Sequence, residues 1–267
     1  ALAILEAVRA ALPRGGTLLV AEPMADTAGA EAMGAAYFGF YLLAMGSGRS
    51  RSATELGGLL KRAGFGHVRR LPTALPLQAG ALVAVPNYAL CPMVSIEDIT
   101  WQLVRALQWV WQHAAQHGGD PQRIAVVGHS AGGHLAAMML SCRWKQVDES
   151  LPAQLVGGAL SISGLFDLEP LRHTPFLQGD LKLTPASVRR LSPAFFPRPK
   201  GKLYATVGAA ESEEFLRQNQ LIRDVWGPTA VPVCETVPGR NHFDVLESLI
   251  EPGARLHDLA LRLLGLR

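Results

Sequence analysis

The sequence predicts an α/β fold built on a mostly parallel sheet with helices on both faces. Two observations carry this. From Ile96 onward, short apolar runs alternate with amphipathic helical patterns, as βα units require. In the middle of that alternation, Gly128-His129-Ser130-Ala131-Gly132 sits between an apolar run and an Ala-rich helical stretch. A third observation concerns residues 1 to about 83, which do not continue the pattern and form a separate segment.

Leu2, Leu5, Val8 and Leu12 recur at helical spacing, and Pro13-Arg14-Gly15-Gly16 stops that helix. Thr17 to Ala21 reads as a buried strand, and Ala30 to Met45 as a helix. Ser52 with Glu55 forms a capping box for a helix that ends near Gly64. Val68 to Leu71 and Leu75 to Val85 read as strands, and Pro86-Asn87-Tyr88 ends the second. Ile96 to Gln116 is a long amphipathic helix, followed by a turn at Gly118-Gly119-Asp120-Pro121. Ile124 to Gly128 is a strand and Ala131 to Ser141 a helix. Further strands are expected at Leu155 to Ser163, Leu203 to Val207 and Val231 to Val237, with helical pattern closing the chain from Leu246 to Leu264.

Composition narrows the function classes. Among 267 residues, 49% are apolar and 18% charged, which supports a packed core and not a disordered chain. The net charge is +3, and the basic runs at Arg69-Arg70, Arg189-Arg190 and Arg198 to Lys202 lack interleaved aromatics, so nucleic acid is not the expected partner. Three cysteines without paired spacing argue against a disulfide framework or a zinc site and fit a reducing, cytoplasmic compartment. No apolar stretch approaches the roughly 18 residues of a membrane span. The expected partner is a small-molecule substrate, with no cofactor or metal; an uncovered sheet edge would favour association into oligomers.

The G-x-S-x-G at Gly128 to Gly132 is the element that carries chemistry. Between a strand and a helix it forms a tight elbow that pushes Ser130 Oγ out above the sheet. A Cβ at Gly128 or Gly132 is expected to collide with neighbouring backbone. The N–H of Ala131, at the helix N-terminus, is placed to donate to an oxyanion. A serine hydroxyl needs a base to take its proton. Of the histidines beyond Ser130, His134 lies on the elbow helix and points away, His257 lies in the last helix, and His173 sits in a Pro-bounded loop. His242 follows a turn directly after the Val231 to Val237 strand, where the base belongs. The acid must come from a loop after an earlier strand. Glu211, after Leu203 to Val207, fits best; Asp167, after Leu155 to Ser163, is the rival; Asp244 is expected to cap the following helix. Tyr88, Leu90, His129 and Phe243 are candidate substrate-binding residues, with core packing as the alternative for Tyr88, Leu90 and Phe243.

Several stretches bear a family resemblance. Val85 to Pro92, Gly118 to Ala137, Ser161 to Leu168, Leu191-Ser192-Pro193-Ala194, Gly208 to Gln218 and Asn241-His242-Phe243 together resemble the kynurenine formamidase (arylformamidase) branch of the α/β-hydrolases. The resemblance implies hydrolysis of N-formylkynurenine to kynurenine and formate, with Ser130 as nucleophile, Glu211 as acid and His242 as base. That family carries a His-Gly-Gly motif one strand upstream of the segment like Val83 to Tyr88, and its N–H groups complete the oxyanion hole. Upstream of that segment this chain has only the pairs Gly15-Gly16 and Gly57-Gly58, and neither follows a His. A His-Gly-Gly is therefore expected nowhere in the chain.

Residues 1 to about 83 resemble something else. Ala7 to Pro23, Tyr37 to Gly48, Glu55 to Gly64 and Leu71 to Val83 are similar to the C-terminal part of a bacterial hydroxyneurosporene-type O-methyltransferase. That family's S-adenosylmethionine loop and catalytic His would lie before residue 1. The expectation is thus a methyltransferase tail (1–83) joined near Leu82-Val83-Ala84 to a hydrolase domain (84–267) that lacks its own first strands. Three outcomes stay open: a serine hydrolase, a catalytically impaired hydrolase-like remnant, and a methyltransferase fragment.

Overall fold

The structure, a computed structural model, describes residues 53–63, 76–77, 81–82, 84–117, 119–251 and 253–266. The elements expected at Leu2 to Leu12, Thr17 to Ala21, Ala30 to Met45 and Val68 to Leu71, the capping side chain of Ser52, and Val83 at the join lie outside the described residues. The chain divides into two units, Ala1–Ala74 and Leu75–Arg267.

In the first unit, α1 spans Ala53–Arg62, with Glu55 in its first turn and Lys61 and Arg62 in its last, charges that oppose the helix dipole at both ends.

The second unit holds the rest. Where one strand was expected from Leu75 to Val85, β1 (Pro76–Leu77) and β2 (Ala81–Leu82) form a two-residue antiparallel pair, and 84–90 has no regular structure. Pro76 and Pro86 each lack the N–H that a ladder needs, which limits a continuous strand here. Helix α2 (Ile96–His113) starts at a capping box in which Ser95 accepts from Asp98 N–H and the Asp98 carboxylate accepts from Ser95 N–H. A 3₁₀ turn, Ala114–His117, carries it on to the expected end.

Four parallel strands follow: β3 (Ile124–His129), β4 (Val156–Ile162), β5 (Lys202–Gly208) and β6 (Val233–Val237), paired in the order β3-β4-β5-β6. Helix α3 (Ala131–Ser141) leaves β3 at once, and α4 (Trp144–Val147) follows it. Between β4 and β5 run α5 (Glu169–Arg172), α6 (Pro175–Leu181) and α7 (Pro185–Leu191). Helix α8 (Glu213–Ala230) connects β5 to β6 and is broken at Gly227-Pro228, where Gly227 has φ 75°. Two helices, α9 (Glu247–Ile250) and α10 (Arg255–Leu263), close the chain.

The sheet is covered on both faces because its strands are apolar on both. Ala159, Leu203 and Ala205 pack with Leu135 and Met139 of α3 and Ile222 and Trp226 of α8. Leu160 and Ile162 point the other way and pack with Leu256 and Leu259 of α10. Two-sided burial of near-continuous apolar runs is the pattern of a parallel sheet. Among the described residues β3 pairs with β4 alone and lies at the edge of the four-stranded sheet. No helix among the described residues is long and apolar enough to cross a membrane.

Candidate active site

The parallel register puts the strands' C-terminal ends side by side. His129 stands opposite Ile162, Ile162 opposite Thr206, and Gly208 opposite Val237. One polar residue follows each strand: Ser130 after β3, Ser163 after β4, Glu211 after β5 and His242 after β6. Ligands of open α/β sheets bind outside these ends.

Ser130 sits on a strained bend, with φ 56° and ψ −117°. Such a conformation costs of order 1–3 kcal/mol and persists only where neighbours hold it. Here Ser130 N–H donates to Ile162 O at 2.8 Å, and Ser130 O accepts from His134 N–H at 3.1 Å. The bend is so tight that a Cβ on Gly128 would lie 2.0 Å from Gly132 O. The expected clash at Gly132 is not found, since a Cβ there meets nothing within 4 Å. The elbow needs a glycine at 128 because the backbone of residue 132 presses on it; the reverse does not hold.

Ser130 Oγ lies 3.1 Å from His242 Nε2, and His242 Nδ1 lies 2.6 Å from Glu211 Oε2. A carboxylate can only accept, so Nδ1 carries the proton and the Nε2 lone pair faces the serine hydroxyl. The Glu211 side chain is fully buried, and that of His242 is 23% exposed. Glu211 Oε1 accepts from Ser163 Oγ–H at 2.5 Å and from Gly208 N–H at 2.7 Å. Burial, the largest influence, pushes the Glu211 pKa up; the hydrogen bonds from His242, Ser163 and Gly208 outweigh it and hold the carboxyl below its ordinary range. Gly208 also lets two loops meet: a Cβ there would lie 2.4 Å from Arg240 O, in the turn that delivers His242.

The other candidates go elsewhere. Asp167 accepts from Glu169 N–H and stands 3.8 Å from Arg217. His134 is buried and donates from Nε2 to Leu191 O, His173 pairs with Glu169, and His257 lies against Leu249 O. Asp244 reaches back to Asn241 N–H and its side-chain amide, holding the turn before the 3₁₀ segment Asp244–Leu246. Ala131 is exposed at the first position of α3, where its N–H has no acceptor within the helix.

Phe243 is 63% exposed, with its ring edge-on to His242 at 5.5 Å. Tyr88 packs partly buried against the larger core. Leu90 is half-buried, and its carbonyl accepts from Met93 and Val94. His129 Nε2 lies 2.8 Å from the backbone oxygen of His242. A cavity of about 570 Å³ runs along the open side of β3, lined by Tyr88, Leu103, Val127, His129 and Gly132. Ser130 and His242 do not line it, so it is a neighbouring groove and not the space above the hydroxyl.

Sequence reasoning missed two residues. Ser163 was visible only as the end of a strand; its φ of 52° turns the side chain under Glu211. Phe215, in the first turn of α8, lays its ring 4.4 Å from that of His242. The sequence also corrects one expectation directly. A His-Gly-Gly does occur, at His117-Gly118-Gly119, but it precedes β3 and so belongs to the opposite end of the strand from Ser130. It does not replace the upstream motif.

Comparison with known proteins finds two families, whose matches overlap at residues 57–66. A family model described as α/β hydrolase fold matches residues 57–207, and one described as O-methyltransferase domain matches residues 1–66. The kynurenine formamidase of Danio rerio is 30% identical over 200 residues, covering 72% of this chain and 66% of that protein. The demethylspheroidene O-methyltransferase of Rhodobacter capsulatus is 41% identical over 81 residues, 30% of this chain and 21% of that one. A candidate thioesterase of known structure from Silicibacter sp. tm1040 superposes with a TM-score of 0.55 at 31% identity, covering 67% of this chain and 62% of that one. This chain thus spans just under two thirds of the length of the hydrolase relatives it matches. With more than half of its residues inside the matched region, the chain belongs to the α/β-hydrolase fold family, and its N-terminal segment is similar to O-methyltransferases.

Proposed function

We propose that the chain is a serine hydrolase of arylformamidase or esterase type, acting on an aryl formamide such as N-formylkynurenine or on a small carboxylic ester through an acyl-enzyme. The observation that carries this reading is the relay Ser130 Oγ–His242 Nε2–Glu211, at 3.1 and 2.6 Å, mounted on a strained elbow. Ser130 Oγ attacks the carbonyl carbon while His242 Nε2 takes its proton. The Glu211 carboxylate, already held ionised, stabilises the resulting imidazolium. The Ala131 N–H donates to the oxyanion. His242 then returns the proton to the leaving amine or alcohol, which departs and leaves an ester on Ser130. Water repeats the sequence through the same base and releases the acid.

The three cysteines are free thiols, which fits a cytoplasmic setting. Loss of one oxyanion donor costs about 10²–10³ in rate, so turnover slower than in a hydrolase with both donors is expected. The test is hydrolysis of N-formylkynurenine and p-nitrophenyl acetate by the full chain against a Ser130→Ala control. Ser130-dependent steady-state turnover supports the reading, and rates equal to the control refute it. A second reading, an intact relay with little turnover, is favoured by the missing upstream His-Gly-Gly; a stoichiometric burst of p-nitrophenol without turnover identifies it.

A further inference from the structure

The base of a serine hydrolase works only if its imidazole is held in one pose, and His242 sits in a loop. Two rings lie against its faces: Phe215 at 4.4 Å and 36°, and His129 at 4.6 Å and 42°. His129 does more than pack. Its Nε2 reaches the backbone oxygen of His242 at 2.8 Å. A carbonyl only accepts, so Nε2 carries the proton and donates. Burial, and next the nearby His242, keep the His129 pKa below its ordinary value, which keeps the ring neutral beside the base. His129 is also the last residue of β3 and the neighbour of Ser130 in the chain. One peptide unit therefore joins the nucleophile to the residue that grips the main chain of the base.

We infer that His129 is a positioning residue for the reaction: its ring N–H fixes the His242 peptide, and with it the direction in which the His242 imidazole meets Ser130. This rests on the hydrolase reading above. Glu211 sets the tautomer of His242 from one side, and His129 sets the place of its backbone from the other.

The test compares the full-length wild type with His129→Phe, which keeps a ring but no donor, and His129→Gln, which keeps an N–H of similar reach. Each is measured for p-nitrophenyl acetate hydrolysis and for the rate of fluorophosphonate labelling at Ser130. A displacement of about 1 Å costs on the order of 10²-fold. His129→Phe is accordingly expected to lower kcat and the labelling rate by about 10–100-fold, with KM changed by less than about twofold, and His129→Gln to restore most of the loss. In a His242→Ala background, His129→Phe is expected to have no further effect on the residual rate, because its target is gone. A purely structural role would lower the rate in both backgrounds.

Equal kcat and labelling for wild type and His129→Phe would overturn the inference while leaving the hydrolase reading intact. Absence of labelling in the wild type would take down both. If His129→Phe does not fold, His129→Leu, which also lacks a donor, takes its place: equal kcat and labelling overturn the inference, and a loss that His129→Gln restores supports it.

Discussion

At the residue scale, the site depends on a few backbone and side-chain facts. Gly128 has no room for a Cβ, whose nearest neighbour would be a carbonyl oxygen 2.0 Å away, while a Cβ at Gly132 meets nothing. Gly128→Ala is expected to fail to fold or to lose the site. Gly132→Ala is expected to melt within about 1 kcal/mol of wild type, since Ala is the better helix former. Paired thermal melts check this. Two buried groups set a pH response. His134 is fully enclosed, and burial holds its pKa below 6.5, partly offset by its bond to Leu191 O. The unfolded chain then binds the proton more readily, so the stabilisation is complete above about pH 6.5 and is lost as pH falls toward the folded value. Glu211, held below its ordinary value, adds a second loss in the same direction below about pH 4.5. Urea midpoints are expected to fall on acidification below pH 6.5, and less steeply in His134→Gln. That Ser130, Glu211 and His242 meet at one end of the sheet was legible because each follows a strand signal. Ser163 and Phe215 were not. Their roles come from where a backbone turn or a helix's first turn aims a side chain, and no spacing rule encodes that.

At the element scale, the elements with strong periodicity or clean flanks were readable: α3 matches the expected Ala131 to Ser141, and β3 to β6 lie within two residues of their expected bounds. The connecting helices α4 to α7, each short, give no periodic signal over so few turns. Helix α8 escaped for a different reason: its sequence is strongly polar outside Phe215, Leu216, Leu221, Ile222, Val225 and Trp226, and Gly227-Pro228 interrupts it. That helix nevertheless anchors the site. Gln218 on α8 is 1% exposed, accepts from Phe166 and Asp167 N–H at 2.8 and 2.9 Å, and donates to Asp167 O at 2.8 Å. It thereby ties the loop after β4 to the helix after β5. Gln218→Leu strands the buried Phe166 N–H and the part-buried Asp167 N–H and is expected to cost about 2–6 kcal/mol, at about 1–3 for each. Denaturant unfolding measures it, and a loss below 1 kcal/mol would show that the loop has other anchors.

At the scale of the whole molecule, the sequence disclosed likeness to two families, and family models match both, one over 1–66 and the other over 57–207. The likeness of particular stretches showed it. The four-stranded parallel sheet, buried on both faces, is a platform whose C-terminal ends bring together residues more than a hundred positions apart, as Ser130 and His242 are. Under the proposed function, this platform makes Ser130 a nucleophile through His242. Intact-mass and peptide mapping after fluorophosphonate treatment tests it most directly. The prediction is one adduct per chain, located on Ser130, formed at least about a hundredfold more slowly in His242→Ala. Labelling spread over other serines, or unchanged when His242 is removed, would contradict it.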